Sequence, residues 1–365
     1  MNILKIVLWF VLTAVVYCVL FSLWNPLRRK NKKWITIVGI ASQVVLAVAA
    51  AYICISASRI LPRYFYCVIA MFYTALLADA ATELVFFIIT LLGKRGAIMI
   101  VRLVAGVAVT LGYLAYMVFN SQIVTPNYLT YKSDKLTRDH KIVFISDLHY
   151  GNTQTKGVVE RTLENIKKEK PEILLLGGDI TDEFTSKEDM KDIYSKIGAL
   201  GIPTYFVYGN HDRQNHGTDI GGRTYTDNEL EDAIESSGIT SLQDKYIVFD
   251  DIVILGREDY DSDKRTKVEN LRERPKGKYV INVDHSPYQY EDIKKTNADL
   301  QLSGHVHAGQ MFPLRTLYTF AVDNICGSYR SGNTDIYVSS GFSGWCFPLR
   351  SEGHCNYEVI NLKKS

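Results

Sequence analysis

Five polar clusters, rich in histidine and carboxylate, follow one another between residues 147 and 307 of this 365-residue chain. In chain order they contain Asp147 with His149, Asp179, Asn210 with His211 and Asp212, His285, and His305 with His307. Imidazole nitrogens and carboxylate or amide oxygens are ligands of divalent metals. Burying so many polar groups without a metal would be costly for a purely structural domain. The clusters together therefore predict a metal centre assembled from several segments of the chain.

The spacing within two of the clusters favours convergence of their side chains. Asp147 and His149, like His305 and His307, are two residues apart, and in an extended chain such residues point to the same side. Taken one at a time, the clusters have ordinary explanations, because Gly-Asp and Gly-Asn pairs form turns and a lone histidine is usually a hydrogen-bonded polar group. Their succession is what indicates metal chemistry.

The order and types of these residues resemble the calcineurin-like metallophosphoesterase family. The motifs that carry the resemblance are Asp147-x-His149, Gly178-Asp179, Gly209-Asn210-His211-Asp212, His285 and Gly304-His305-x-His307. The likeness runs from about His140 to the C-terminus. The details are similar to a bacterial membrane-associated subgroup with YkuE-like phosphoesterases and lipid-directed UDP-diacylglucosamine hydrolases. Val306 stands where threonine is usual and Ala308 where glycine is usual, and neither change removes a ligand.

The resemblance implies a metal-dependent phosphoric ester hydrolase with two divalent ions. The implied ligands are Asp147, His149 and His307 for one ion and Asn210, His285 and His305 for the other, with Asp179 as the bridge. His211 is implied as the catalytic group that protonates the leaving oxygen or stabilises transition-state charge, with Asp212 as a candidate orienting partner. Oxygen and nitrogen ligands without thiolate suit manganese, iron or zinc.

Three residues near the C-terminus have two interpretations each. Arg350 offers a planar donor fork for a substrate phosphate, or it is a solvated surface arginine. Cys346 and Cys355 are free thiols, or they form one disulfide if the domain faces an oxidising space.

The segments around the clusters predict the elements that must position them. Apolar runs at Lys141–Ser146, Ile173–Leu176 and Thr204–Tyr208 are typical of buried strands, and helices are predicted at 158–168 and 187–200. This alternation predicts an α/β sheet, in which ligands gather beyond the carboxyl ends of the strands. The resemblance further implies two packed sheets flanked by helices, with a dinuclear metal site at those ends.

The first 123 residues have a different composition and predict an all-α, four-helix transmembrane region. The apolar runs lie between Lys5 and Arg28, between Lys33 and Arg59, from about 64 to 92, and from 97 to 123. Each run reaches the roughly 20 residues that a spanning helix needs. Three further spans follow the first and no cleavage site ends it, which counts against a signal peptide. We therefore expect a transmembrane region at 1–123, a linker at 124–139 and a phosphoesterase domain at 140–365.

Charge predicts both the orientation in the membrane and the class of partner. The first loop, which contains Arg28, Arg29 and Lys33, and the third, with Lys94, are the basic ones, so they are expected in the cytoplasm. Four spans then place the catalytic domain on the extracytoplasmic side of a multi-pass membrane protein. The basic residues that follow the fourth span, Lys132, Lys135 and Arg138, oppose this orientation. Residues 124–365 hold 30 basic and 37 acidic residues, a net charge of −7 that disfavours nucleic acid as partner.

Asp79 and Glu83 lie four residues apart in the third apolar run and share a helix face. Ionised carboxylates in hydrocarbon are costly unless they are paired or lie in a wet cavity. One interpretation is a substrate or ion path. The other is packing inside the helix bundle with Arg102 as partner, helped by small residues that include Ala75 and Ala81.

The leading functional hypothesis is hydrolysis of a phosphodiester, pyrophosphate or phosphomonoester, on a lipid-linked or cell-envelope substrate near membrane lipids. The alternative is a catalytically silent metal-binding scaffold or sensor at the membrane, against which an intact His211 argues. A third hypothesis, a transporter with an accessory domain, rests on Asp79 and Glu83 alone. The sequence does not predict the natural substrate or the oligomeric state.

Overall fold

The computed structural model describes residues 3–28, 33–56, 63–92, 99–215, 222–271, 273–288, 295, 297–320 and 324–365. The chain divides into two compact units. The first contains Met1–Phe119 and Met311–Leu314, and the second contains Asn120–Gln310 and Arg315–Ser365.

The first unit contains four long apolar helices. They are α1 at Ile3–Arg28, α2 at Lys33–Ser56, α3 at Arg63–Leu91 and α4 at Met99–Ser121, whose last two residues belong to the second unit. By length and composition, each could cross a membrane. Half of the apolar stretch of α3 is buried, against about a fifth in the other three. Helix α3 is therefore the element on which this unit packs, and the four helices indicate association with a membrane.

Small residues bring these helices close together. Ala75, Ala78 and Ala80 on α3 are buried, whereas Ala81 is exposed, so the expectation that Ala81 contributes to packing is wrong. On α4, a Cβ atom at Gly106 would lie 1.5 Å from the hydroxyl oxygen of Tyr17. A side chain at this position would push the two helices apart.

The second unit is built from two six-stranded mixed sheets. The first sheet has the order β1-β12-β2-β3-β4-β5 and the second the order β10-β11-β9-β8-β7-β6. The strands are β1 (Val124–Ser133), β2 (His140–Ile145), β3 (Ile173–Leu176), β4 (Thr204–Phe206), β5 (Ile239–Ser241), β6 (Lys245–Phe249), β7 (Ile252–Gly256), β8 (Tyr279–Val283), β9 (Leu300–Ser303), β10 (Gly327–Ser331), β11 (Thr334–Val338) and β12 (Cys355–Lys364). Strands β2 to β5 are parallel, as are β7 to β9 and β11.

The main core lies between the two sheets. Ile142, Phe144 and Leu175 of the first sheet pack in one cluster with residues of the second, among them Ile254 and Ile281, and all five side chains are at most 1% exposed. Strands buried on both faces explain the unbroken apolar runs in the sequence. The predicted α/β domain with two packed sheets is confirmed.

Helices cover the other face of the first sheet. They are α5 at Lys156–Glu169, α6 at Lys187–Gly198 and α7 at Asp227–Ser236, and a short α8 follows at Leu314–Tyr318. Ser186 caps α6, and Thr226 forms a capping box with Glu229 on α7, so both helices begin at residues that satisfy their free N–H groups. The core cluster on this face contains Val143 and Leu174 of the sheet.

The segment predicted as a linker contains a strand of the sheet. Residues Val124–Ser133 form β1, which pairs in parallel with β12 over ten residues. The linker prediction is corrected because this segment is rich in tyrosine, threonine and valine, which favour a strand. Pro126 is tolerated because β1 lies at the edge of its sheet.

Cys346 and Cys355 are both buried, and neither forms a disulfide. The disulfide that the sequence left open is therefore not formed.

Candidate metal centre

The nine residues predicted to hold or assist the metals all lie in loops that follow strand ends. Asp147 and His149 follow β2, Asp179 follows β3, His285 follows β8, and His305 and His307 follow β9. The remaining ones, Asn210, His211 and Asp212, come a few residues after β4. The carboxyl ends of parallel strands bring loops from both sheets to one place. Two groups with ligand atoms within 4.8 Å of one another result, Asp147 with His149 and His307, and Asp179 with His285 and His305.

The backbone conformation at these residues is unusual. Asp147, His149, Asp179, His305 and His307 all have positive φ, between 46° and 74°. Non-glycine residues rarely adopt this region, and where they do the surrounding structure must hold them there. The chain is therefore not extended at Asp147 and His149, or at His305 and His307. Their side chains converge through left-handed backbone turns rather than through strand alternation, which corrects the reason given for their spacing.

The first group places two imidazole rings face to face beside a carboxylate. The Nε2 atoms of His149 and His307 are 3.2 Å apart, and the ring centroids are 5.1 Å apart in a stacked arrangement. His307 Nε2 lies 3.6 Å from Asp147 Oδ1. His307 Nδ1 donates to the carbonyl of Ser343, and His149 Nδ1 lies 3.2 Å from Asp182 Oδ2. When both rings are neutral, two nitrogen lone pairs face each other, and a cation bound by both removes this repulsion.

The second group also places two imidazole rings beside a carboxylate, but the ring planes of His285 and His305 are nearly perpendicular, at 83°. His285 Nε2 lies 3.1 Å from Asp179 Oδ2 and 3.3 Å from His305 Nδ1. His285 Nδ1 donates to the carbonyl of Gly177, which leaves Nε2 as the ligand atom. Asn210 is 4% exposed, and its Oδ1 has no hydrogen-bond partner among the residues that the structure describes. A buried amide oxygen without a donor fits a metal ligand.

Two of the four histidines have the protonation that divalent cations need. Burial lowers the pKa of His305 to about 3 and that of His307 to about 4, which keeps both rings neutral and able to bind a metal. For the other two, burial alone would lower the pKa, but Asp182 raises that of His149 and Asp179 raises that of His285. Burial alone would raise the pKa of Asp179, but the neighbouring histidines, His285 first, hold it well below its ordinary value. Neutral imidazoles and an ionised carboxylate are the ligand forms that divalent ions need.

His211 lies beside the first group and is fixed on both sides. Its ring centroid is 5.7 Å from that of His149, and it stacks on Trp345 at 5.6 Å. Glu183 Oε2 lies 2.7 Å from His211 Nδ1. Burial alone would lower the pKa of His211, but the charges of Glu183 and Asp179 raise it to about 9. The ring is held as a proton donor next to the ligand cluster.

Asp212 has a different position from the one expected of an orienting partner. Its carboxylate accepts hydrogen bonds from the backbone N–H groups of Asp179, Ile180, Thr181 and Gly209, at 2.7 to 3.1 Å. Glu183 rather than Asp212 bonds the His211 ring, so that expectation is corrected. Asp212 ties the loop after β3 to the loop after β4.

Arg350 follows neither interpretation of the sequence. It is 0% exposed, and its guanidinium donates to the carbonyls of His307, Ser340 and Ser343. It is neither a solvated arginine nor a free donor fork for a phosphate, because those donors are already used. A buried planar fork suits the task of holding several carbonyls at once. Arg350 fixes the backbone of the proposed ligand His307.

Asp182, Glu183 and Trp345 were not singled out from the sequence. The two acids come three and four residues after Asp179, so the density of carboxylates in this loop was a usable signal. Trp345 lies in a loop far along the chain, and no local pattern marks it. Its position depends on Gln310, whose side-chain oxygen accepts a hydrogen bond from the backbone N–H of Trp345 at 2.8 Å.

Two glycines allow the loops to approach the ligands. A Cβ at Gly209 would lie 2.2 Å from Asp179 Oδ1, and one at Gly304 would lie 2.3 Å from Asp147 Oδ2. Both distances are far below van der Waals contact, so only glycine fits at these positions.

Residues 140–309 match the family model described as calcineurin-like phosphoesterase. Over this stretch the chain is similar to calcineurin-like phosphoesterases. The family resemblance seen in the motifs is confirmed over residues 140–309, and the similar proteins are named metallophosphoesterases. The family and the two residue groups indicate a dinuclear metal site.

Named relatives are similar to this chain at modest identity. An uncharacterized metallophosphoesterase of Helicobacter pylori is 32% identical over 235 residues, covering 62% of this chain and 59% of the relative. One from Campylobacter jejuni is 27% identical over 343 residues, covering 88% and 87%. The uncharacterized metallophosphoesterase YkuE of Bacillus subtilis is 27% identical over 248 residues, covering 62% and 79%. The chain matches about three-fifths of the length of the Helicobacter relatives.

Proposed function

We propose that this chain is a membrane-anchored phosphoesterase that uses two divalent metal ions to hydrolyse a phosphodiester, pyrophosphate or phosphomonoester. The observation that carries the proposal is the pairing of imidazoles at 3.2 and 3.3 Å, each pair beside a carboxylate. Three of the four rings, those of His149, His285 and His307, are also held through their second nitrogen. In this proposal Asp147, His149 and His307 would hold one ion, Asn210, His285 and His305 would hold the other, and Asp179 would serve both. Two such ions supply an activated water and neutralise phosphate oxygens.

The residues around the ions orient the substrate and move one proton. His211 protonates the leaving oxygen or donates a hydrogen bond to the charge that develops on it. Glu183 holds the ring through Nδ1 and stabilises its protonated form, while Trp345 supports one ring face. Such a carboxylate-held histidine beside the metal ligands supports an enzyme over a silent scaffold.

The substrate class follows from the anchor. Four helices that can cross a membrane confine the domain to the vicinity of lipid, which favours a lipid-linked or cell-envelope phosphate. The net charge of −7 after residue 123 disfavours long-range attraction of nucleic acid. Manganese is the ion to test first, with iron and zinc as the other candidates.

Activity on an artificial aryl phosphodiester tests the proposal. Purified full-length protein in detergent, loaded with manganese, should hydrolyse it, and Asp179→Asn and His211→Ala should each lower kcat by at least about a hundredfold. His354→Ala and Asp261→Asn are the matched controls and should keep full activity. Retained activity in both site variants contradicts the proposed mechanism.

A complementation experiment separates the enzyme from a scaffold. A scaffold that needs the metals for its fold requires Asp179 but tolerates His211→Ala in cells. An enzyme requires both residues. Metal content of each purified variant, measured by elemental analysis, identifies a loss of cation as opposed to a loss of chemistry.

The proposed orientation is multi-pass, with the catalytic domain outside the cytoplasm. The basic first and third loops support it. A protease added to intact cells should then cleave the domain, and it should leave a cytoplasmic marker protein intact. Full protection of the domain, with cleavage only after lysis, reverses this orientation.

A further inference from the structure

The loop that follows β7 lies between two segments that carry proposed ligands of the second ion. Strand β7 is parallel to β8, so their carboxyl ends share one edge of the sheet. Arg213, three residues beyond the amide ligand proposed on the β4 loop, donates to Glu258 at 2.6 and 3.2 Å. Arg265 donates to Asp284, the residue before His285, at 2.5 and 3.1 Å. Two ion pairs, whose acids are 2% and 4% exposed, therefore hold the loop beside these segments.

Ring contacts connect the same loop to the third segment with a proposed ligand of this ion. The ring centroid of Tyr260 lies 5.4 Å from that of Tyr288, which in turn lies 5.5 Å from that of His305. The ring planes cross at 70° and 81°, the edge-to-face arrangement that aromatic rings prefer. Asp259 lies between Glu258 and Tyr260 in the chain. Its neighbours on both sides therefore contact segments that carry the proposed ligands.

Asp259 is a buried acid with an unsatisfied oxygen. It is 2% exposed, and its backbone N–H donates to Glu258 Oε1 at 3.0 Å. Its carboxyl group accepts a hydrogen bond from the backbone of Asp261. The Oδ1 atom nevertheless has no hydrogen-bond partner among the residues that the structure describes. A buried carboxylate oxygen without a donor is rare in folded proteins and costs free energy, so a partner for it must be sought outside the protein chain.

The charges around this carboxyl group belong to the second group of candidate ligands. Burial raises the pKa of Asp259 to about 6, the imidazole of His285 opposes the rise, and the carboxylate of Asp179 adds to it. The ligand atoms of the second group lie within 4.8 Å of one another, and that group does not include Asp259. The carboxyl group thus lies within electrostatic range of the proposed ligands but outside their cluster.

The second ion is the one whose proposed ligands include no carboxylate of its own. Asp147 would serve the first ion and Asp179 both, whereas the amide and the two imidazoles proposed for the second ion bind as neutral groups. A divalent ion buried among neutral ligands keeps uncompensated charge, which is costly in a protein interior. A further buried carboxylate next to these ligands would offset part of that charge.

We propose that Asp259 is an outer carboxylate of the second metal site and strengthens the binding of the second ion. Its negative charge offsets that of the ion, and its unpaired Oδ1 accepts a hydrogen bond from water at the site. The inference rests on the proposed function, because it requires the second ion. Asp259 acts through the ion rather than on the substrate, so it is a positioning residue.

Manganese titration of the purified full-length protein in detergent tests this role, with unbound manganese measured by electron paramagnetic resonance. The parent should bind two ions, and Asp259→Asn should weaken the binding of one of them about tenfold to a hundredfold, with the other bound as in the parent. Asp259→Glu should recover part of the affinity, because it restores the charge. Asp261→Asn, at an exposed acid two residues along the same loop, is the matched control and should bind both ions as the parent does.

Two variants that each keep one ion identify which ion Asp259 serves. In His305→Ala, which should keep the first ion, the addition of Asp259→Asn should change nothing. In His149→Ala, which should keep the second ion, the same addition should weaken binding by the factor seen in the parent. An equal loss of affinity for both ions, or no loss for either, overturns this inference and leaves the two-metal proposal standing. A parent chain that binds fewer than two ions contradicts the two-metal proposal itself, and this inference with it.

Discussion

At the scale of single residues, neighbouring acids in one loop serve two different histidines. Asp182 lies behind His149, and Glu183 bonds His211. The first acid therefore supports a proposed metal ligand, and the second supports the proposed proton donor. Substitution of the two should have separable effects.

Glu183→Gln should lower kcat about tenfold to a hundredfold with little change in KM or metal content, because the amide still contacts the His211 ring but no longer stabilises its positive charge. Glu183→Asp should recover part of the loss. Steady-state kinetics on the aryl phosphodiester, with elemental analysis of the same samples, make the measurement. Exposed Glu188→Gln is the control, and an equal loss there contradicts a role through His211.

Arg350→Lys should lower the stability of the domain by about 2 kcal/mol or more and reduce its metal content. The compact ammonium group of lysine cannot span the three carbonyls that the planar guanidinium of arginine contacts. Chemical unfolding and elemental analysis test this. Arg330→Lys, on a largely exposed arginine, should leave both quantities unchanged. A raised KM with unaltered stability would instead return Arg350 to the role of a phosphate-binding residue.

At the scale of elements, strand β12, which lies between β1 and β2 in the first sheet, holds a buried acid. Glu358 is 0% exposed and accepts from the Ser339 hydroxyl at 2.9 Å. Burial raises its pKa to about 8, against the opposing effect of hydrogen bonds from Ser339 and Tyr337. The folded state therefore binds more protons than the unfolded state between about pH 4.5 and pH 8, and stability falls as the pH rises through this interval.

Glu358→Gln should remove this pH dependence. The variant should unfold at a higher denaturant concentration than the parent at pH 8.5, and the difference should shrink towards pH 5. Urea titrations followed by circular dichroism at several pH values make the comparison. Exposed Glu235→Gln on α7 should give curves parallel to the parent. A constant difference across this pH range contradicts the assignment.

Among the elements, the buried strands were predictable from the sequence and the edge strand was not. Apolar runs such as Ile173–Leu176 predict buried strands, because a strand covered on both faces needs no polar residue. Edge strand β1 was missed, because half-exposed strands lack such a run and Pro126 opposes one. The candidate metal ligands were predictable from their residue types and their order along the chain. Trp345 and the buried position of Arg350 depend on long-range packing, which no local pattern encodes.

At the scale of the whole molecule, the two units differ in charge as well as in hydropathy. The first 123 residues hold eleven basic and two acidic residues, whereas the rest of the chain has a net charge of −7. Part of that negative charge converges on the metal centre, where Asp147 and Asp179 are at most 1% exposed. Divalent ions would relieve this concentration of buried charge.

Removal of metal should therefore destabilise the full-length protein. Treatment with a chelator should lower the unfolding midpoint of the domain by several degrees, and added manganese should restore it, with about two ions bound per chain. Asp179→Asn should respond less than the parent. Differential scanning calorimetry before and after chelation provides the measurement, and an unchanged midpoint contradicts a metal contribution to stability.

The left-handed backbone at five ligand residues limits how the centre can be transferred to another protein. Asp147, His149, Asp179, His305 and His307 point inward because their own φ angles are positive. Placing the same side chains on a host with ordinary strand and helix backbone would aim them elsewhere, however well their Cα positions matched. A designer who wished to copy this centre would have to graft the loops with their glycines and with the buried arginine behind them.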